Sequence, residues 1–327
     1  MMKFLRISGQ DKLKLPYNLR SNQQEIIDTI EKGLQSKNHI VIEAPTGSGK
    51  TFTSLASSLP FVINKSYKII YCVRTNSQQE QVIRELKAFK DSGNNFSVVA
   101  IQGRQSMCPQ QKDDDELAKS NWSEKSKICK SLKLQSKLGE AGCPYYRKLL
   151  RPTKSLIDRW SSEIYSAEEF TLNAESENLC PYELNKLLLK KAQIVIVPYV
   201  YFFEDFIRKY LLGWMDTTID KIITIVDEAH NLPDWSREAA SESLSVDSLH
   251  RASQESDKFG LLLGDGSPPT LFLDLVESAL KSLGEYHISE GDDEGLLPSH
   301  IVSLDSEVPT FETEMMSLGK MTLYRLK

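Results

Sequence analysis

No stretch of this chain approaches the roughly 20 consecutive apolar residues that a membrane-crossing helix needs. The opening residues, Met1-Met2-Lys3-Phe4-Leu5-Arg6, lack the apolar run of a signal peptide. The expectation is a protein with no membrane partner, cytoplasmic in a prokaryote or nuclear in a eukaryote. Basic charge is not in excess either: 40 Lys and Arg face 45 Asp and Glu, a net charge of −5. Any affinity for nucleic acid must therefore reside in a local patch. No internal repeat is visible. No pair of cysteines has the C-x₂-C spacing of a zinc ribbon.

What is there begins with length and pattern. The 327 residues, 40% apolar and 26% charged, suffice for one large or two medium globular domains. Residues 1–104 alternate helix and strand. Ile26, Ile27, Ile30 and Leu34 recur at helical spacing within 22–36. His39-Ile40-Val41-Ile42-Glu43 reads as a short apolar strand, followed by a glycine-rich turn and a helix from about Lys50. Strands are expected at 67–73 and 96–101, with a helix over 76–90. The rhythm stops between 105 and 180 and resumes with a helix over 181–191, a strand at 193–197, a helix over 199–212 and a strand at 221–226. This pattern predicts an α/β fold, a parallel sheet with helices on both faces, interrupted by an insertion at 105–180. Beyond about 241 no sheet pattern appears. A helix is expected over 271–283, with loops at 264–269 and 289–295.

The glycine-rich turn is Ala44-Pro45-Thr46-Gly47-Ser48-Gly49-Lys50-Thr51. It sits where a phosphate-binding loop sits, after a strand and at the start of a helix. Its glycines let main-chain N–H groups face phosphates, and the helix N-terminus adds positive potential. Lys50 is then the residue to neutralise β/γ-phosphate charge, and Thr51 the residue to ligate Mg²⁺. Ala44 stands where the general pattern has glycine. The strand at 221–226 runs into Asp227-Glu228-Ala229-His230. A carboxylate at such a strand end helps hold Mg²⁺, so Asp227 suits the ion and Glu228 suits a general base for the attacking water. His230 suits a link between nucleotide state and the rest of the molecule.

Of the five cysteines, Cys72 lies alone in an apolar strand. Cys108, Cys129, Cys143 and Cys180 fall within one 73-residue stretch, separated by 20, 13 and 36 residues. Reduced thiols in such a cluster point to a metal rather than to disulfides. Spacing alone leaves Zn²⁺ and an iron–sulfur cluster both open. From Lys119 to Lys154 ten Lys and Arg meet two acids, with Trp122, Tyr145, Tyr146 and Trp160 in or near the run. That mixture suits either single-stranded nucleic acid or a solvated helix face over a small core.

Taken together, APTGSGKT and VDEAH resemble motifs I and II of superfamily 2 helicases. Arg20 and Gln23, within Leu19-Arg20-Ser21-Asn22-Gln23, resemble the adenine-contacting segment upstream of motif I. Tyr71-Cys72-Val73-Arg74-Thr75-Asn76-Ser77 resembles motif Ia, whose Arg74 and Thr75 would grip the DNA backbone. The four cysteines, placed between motifs Ia and II, resemble those of the XPD/DinG helicases, which hold a [4Fe–4S] cluster. Residues 192–199 resemble the strand and tyrosine that follow the last ligand there, with Pro198 where that family often has Asn.

The resemblance covers about 15–240. It implies a first RecA-like motor lobe (1–104 and 181–240), an iron–sulfur domain (105–180) and part of a helical arch (241–327). The function it implies is ATP-dependent, 5′→3′ unwinding of single-stranded or forked DNA in repair. After His230 neither a second strand–helix alternation nor a Q-x-x-G-R-x-x-R segment follows. A second motor lobe is therefore expected in cis or as a separate chain, and these residues by themselves are expected to be inactive. Two other readings stay open: a catalytically silent, metal-containing nucleic-acid-binding module with a vestigial ATP site, and a zinc-bearing P-loop ATPase unrelated to helicases.

Overall fold

The computed structural model describes residues 4–5, 13–113, 122–241, 245–263 and 266–287. The loop expected at 289–295, residues 264–265 of the 264–269 loop, the closing 324–327 and the side chain of Trp122 lie outside the described residues. The chain divides into two compact units, 1–230 and 231–327.

In the first unit a short antiparallel ladder joins β1 (Phe4–Leu5) to β2 (Leu13–Lys14). The main sheet has four parallel strands: β3 (Lys68–Val73), β4 (Val98–Ala100), β5 (Ile194–Pro198) and β6 (Ile222–Val226). Their spatial order is β4-β5-β3-β6. β3 pairs on one side with β5, Ile70 opposite Val195, and on the other with β6, Ile70 opposite Thr224. Central β3 and β5 are apolar almost throughout and buried, as strands covered on both faces must be.

Helix α1 (Gln23–Gln35) buries Ile27 and Ile30. Helix α2 (Lys50–Lys65) turns Phe52, Leu55, Ala56, Leu59 and Val62 inward at helical spacing. Helix α3 (Asn76–Asp91) contributes Val82, Ile83, Leu86 and Phe89, whose ring stacks on Phe52 at 5.5 Å between centroids.

Two expected elements take another form. The apolar run 39–43 is not a strand, and Val41 is 96% exposed. A strand persists only when its N–H and C=O groups find a ladder. Here β6 closes the four-stranded sheet, and most of its residues are only half buried. The helix expected over 199–212 is two helices, Tyr199–Phe203 and Asp205–Met215, broken where Glu204 turns extended (ψ 114°).

Residues 105–180 contribute no strand among the described residues. Four helices of the insertion are Trp122–Leu138, Pro144–Arg147, Lys154–Ser162 and Ala167–Ser176. Trp160, only 3% exposed, packs with Tyr165 and Phe170 at 5.4 and 4.9 Å. It belongs to a small core and presents no free face to a base.

The second unit contains helices Leu232–Ala240, Val246–Phe259 and Pro269–His287, the last two closing on Leu249, Leu263, Phe272, Leu273 and Val276. Among the described residues no helix is long and apolar enough to cross a membrane.

Candidate active site and thiol cluster

The glycine-rich turn 44–51 is built around two left-handed glycines, Gly47 (φ 79°) and Gly49 (φ 87°), the second capping α2. A Cβ at Gly49 would collide with the side-chain amide of Gln23, so both conformation and space require glycine there. Gln23 is 5% exposed. Its Nε2 donates to Ser48 O at 2.9 Å, and its Oε1 accepts from Arg20 N at 3.0 Å. A guanidinium nitrogen of Arg20 donates to Gly47 O at 2.8 Å. Both residues of the upstream segment thus brace the loop through its carbonyls, leaving its N–H groups uncommitted to them. Lys50 Nζ donates to Ala44 O at 2.9 Å, and Thr51 is buried at the first turn of α2.

Parallel register carries the acidic pair to the same place. Asp227 follows β6 and donates its N–H to Cys72 O at 3.0 Å. Burial holds the Asp227 carboxyl above its ordinary range; the charge of Glu228 adds to the rise and Lys50 opposes it. Lys50 and Asp227 therefore feel each other at one edge of the sheet. β3 is tied in as well, because the buried Tyr71 hydroxyl meets Ser54 and Thr51 of α2. Glu228 is left-handed (φ 47°), and its Oε2 lies 3.2 Å from His230 Nδ1.

Arg74 is exposed at the end of β3. Thr75 caps α3: its Oγ1 accepts from Gln78 N at 3.3 Å, while Gln78 Oε1 accepts from the Thr75 and Arg74 N–H groups at 3.0 and 2.8 Å. This reciprocal capping box occupies Thr75 structurally.

Of the four thiols of the insertion only Cys129 lies within a helix and the others just before one, yet the four share one neighbourhood. Cys108 senses Cys129 and Cys143; Cys129 senses Cys143; Cys180 senses Cys143 and Cys108. Among the described residues no three His, Cys, Asp or Glu side chains form a ready site for a single metal ion. As thiolates the sulfurs are close enough to disfavour one another's charge.

Three of them, Cys108, Cys143 and Cys180, immediately precede a proline that begins a helix or stands one residue before it. Main-chain N–H groups of Gln110 and Gln111 point at the Cys108 sulfur, and that of Glu183 at Cys180. The recurrent Cys-Pro dipeptide is a signal present in the sequence that spacing alone does not reveal. Burial raises the thiols of Cys108 and Cys129 and pushes Cys180 up to about 12. Thiolates here need a cationic partner.

Cations lie beside one of them. Arg104 and Lys133 both favour the Cys129 thiolate. Glu183, buried on the Pro181–Leu189 helix, accepts from Lys133 at 2.6 Å and Lys186 at 3.2 Å. This strut joins the helix carrying Cys129 to the one capped by Cys180. Asn185, 1% exposed, donates to Ala100 O at 3.0 Å and to Met107 Sδ at 3.7 Å, fixing the turn before Cys108. None of these partners is legible from residue type alone.

The DEAD_2 family model matches residues 71–249, from β3 through the thiol cluster and the acidic pair. Over 269 residues the chain is 26% identical to the Regulator of telomere elongation helicase 1 homolog of Arabidopsis thaliana, covering 71% of this chain and 24% of that one. Over 255 residues it is 26% identical to the General transcription and DNA repair factor IIH helicase subunit XPD/RAD3 of Saccharomyces cerevisiae, covering 73% of this chain and 32% of that one. The match therefore spans about a quarter to a third of the length of these relatives. Among solved structures the fold is similar to one titled XPD_Helicase, with TM-score 0.54 and 22% identity over 93% of this chain and 48% of that one. It is also similar to one titled Truncated XPD, with TM-score 0.50 and 21% identity, covering 90% of this chain and 76% of that one.

Proposed function

We propose that this chain, which belongs to the DEAD_2 family, is the nucleotide-binding part of an ATP-dependent DNA helicase of the XPD type. The observation that supports this reading most is the convergence of Lys50 and Asp227 at one edge of a parallel sheet, with Thr51 beside them. Main-chain N–H groups of 46–51 cradle the ATP phosphates, and Lys50 neutralises their charge. Thr51 and Asp227 are the residues to hold Mg²⁺, which when bound offsets charge on the phosphate oxygens. Relief of the strain of burying Asp227 as an anion favours such a cation. Glu228 takes the proton of the attacking water as general base. His230, 3.2 Å from it, relays nucleotide state to the rest of the motor. Arg20 and Gln23 hold the loop and stand beside the expected adenine.

The insertion is read as a [4Fe–4S] domain. Cys108, Cys129, Cys143 and Cys180 supply four thiolates, with N–H donors beside Cys108 and Cys180 and cations beside Cys129. Four thiolates suit either Zn²⁺ or an iron–sulfur cluster, and their placement between motifs Ia and II, as in the XPD/DinG helicases they resemble, favours the cluster. A bound cluster supplies a cross-link between separate helices and a one-electron redox centre. In the complete motor this region and Arg74 meet single-stranded or forked DNA, and movement is 5′→3′, in a repair role of the kind the yeast relative's name carries. The setting is cytoplasm in a prokaryote or nucleus in a eukaryote.

A second motor lobe, in cis or in a separate chain, contributes the arginine that in P-loop enzymes is worth about 10³–10⁵ in rate. Residues 1–327 tested alone should therefore hydrolyse Mg-ATP slowly and not unwind duplex. The decisive measurement is single-turnover hydrolysis by wild type and Lys50→Ala. A slow wild-type rate that disappears in the variant supports a motor lobe. Equal rates would leave a silent nucleic-acid-binding module. Brown colour with absorbance near about 400 nm, and iron in place of zinc, would identify the metal.

A further inference from the structure

Five described residues other than glycine have positive φ: Lys37, Ser66, Asn178, Asp216 and Glu228. The first four lie at or just past helix C-termini, where a left-handed residue is the ordinary way to stop a helix. Glu228 follows a strand, so the usual reason for the conformation is missing. A residue with a Cβ stays in that region only where its surroundings enforce it.

The enforcing group is Tyr199. It is the first residue past β5, which is not a neighbour of β6, because β3 lies between them. From there the hydroxyl reaches over the end of β3 and donates to Asp227 O and, at 3.2 Å, to Glu228 O. These are the carbonyls on either side of the Glu228 Cα. The side chain is 2% exposed, and its ring packs edge-on against Phe203 at 5.8 Å. Burial, with Asp227 nearby, pushes the hydroxyl up to about 12, so it remains a donor throughout the physiological range. Asp227 N–H is held by Cys72 O, so this turn is fixed from both sides by groups outside it.

We propose that Tyr199 is a positioning residue for ATP hydrolysis: its hydroxyl holds the Asp227–Glu228 peptide units in the left-handed turn that sets the direction of the Glu228 carboxylate. The proposal rests on Glu228 being the general base. Tyr199 also ends the buried helix–strand pair that begins at Cys180, so the same bond joins the thiol insertion to the hydrolytic turn.

The test uses the full chain and Tyr199→Phe, which keeps the ring and removes the hydroxyl. Tyr201→Phe serves as control, since its hydroxyl donates to Gln102 O at 3.0 Å, away from the turn. Amide hydrogen exchange over 226–231 should quicken about tenfold in Tyr199→Phe and not in Tyr201→Phe, with β3 unchanged. Single-turnover hydrolysis should fall about tenfold, while affinity for a fluorescent ATP analogue stays within about twofold. Unchanged exchange at 226–231, or equal loosening of β3 and the turn, overturns the proposal. Unchanged hydrolysis alongside loosened exchange also overturns it where the wild type hydrolyses ATP. A wild type that hydrolyses nothing defeats the proposed function instead, and exchange still decides whether Tyr199 holds the turn.

Discussion

Asp227 meets Lys50 because β6 is laddered to β3 in fixed register, Cys72 opposite Val226, and α2 packs on the same sheet. The four thiols meet with no strand among the described residues between Cys108 and Cys180. They ride on helix ends and turns, held by side-chain struts such as Glu183 and Asn185. A ladder fixes its residues whether or not a ligand arrives. Burial favours the protonated thiols of Cys108, Cys129 and Cys180, and the metal proposed for the four sulfurs would tie these struts together. With the proposed ligands, the two regions should respond oppositely to ligand loss: nucleotide would leave a formed site, whereas metal would take the insertion's order with it.

The largest expected effect tests that contrast directly. Structural metal sites contribute on the order of 10 kcal/mol of folding free energy. Cys180→Ala, or chelation of the wild type, should remove iron and open 105–180 to proteolysis. Protection of β3 and binding of a fluorescent ATP analogue should stay near wild type. If β3 loses protection to the same extent, the sheet is no more independent than the insertion and the contrast fails.

Next in size is Lys50→Ala. Removing a charge aimed at transferring phosphoryl oxygens costs about 10²–10³ in rate, so single-turnover hydrolysis should nearly vanish. The thermal midpoint should barely move, because Lys50 is half buried and its hydrogen bond is to the single Ala44 carbonyl. A large fall in the midpoint would mean that the loop, like the thiols, depends on its own side chains for order.

Glu183→Leu should cost the insertion about 2–3 kcal/mol, somewhat under the roughly 3–5 kcal/mol of breaking a fully buried ion pair, since both lysines keep some solvent. Native-state hydrogen exchange in the Trp122–Leu138 helix reports it. Glu183→Gln, which keeps hydrogen bonding, should lose less. If both variants match wild type, the lysines are solvated well enough alone and Asn185 carries the joint.

Sequence pattern made the sheet legible where burial is two-sided, as at β3 and β5, and made the phosphate loop legible because glycine geometry leaves a residue signature. It misread 39–43, whose apolar residues suit a strand that here has no ladder, and it ran one helix through Glu204, where only backbone geometry reveals the break. The fold and the helicase family expected from motifs I and II agree with the family match and with the XPD folds. Cysteine positions were legible as a group. Glu183, which braces them, and Tyr199, which holds the acidic turn, were not, because they act through partners 50 and 28 residues away, and residue type carries no record of such distance.

The smallest effect concerns Thr75, expected from its motif to grip DNA and found capping α3. A capping threonine is worth about 1 kcal/mol when replaced by alanine, whereas a phosphate contact costs nothing in the free protein and shows as a shallower salt dependence of DNA binding. Thr75→Ser retains an oxygen for Gln78 N and should preserve both stability and binding. Thr75→Ala should lower the stability of the first unit by about 1 kcal/mol in denaturant unfolding, with the salt slope of single-stranded DNA binding unchanged. Arg74→Ala should do the reverse, reducing that slope by about one phosphate's worth while leaving stability within about 0.5 kcal/mol. If Thr75→Ala instead flattens the slope, the hydroxyl reaches DNA in spite of its cap, and even the most regular part of the sheet lobe doubles as a ligand-dependent site.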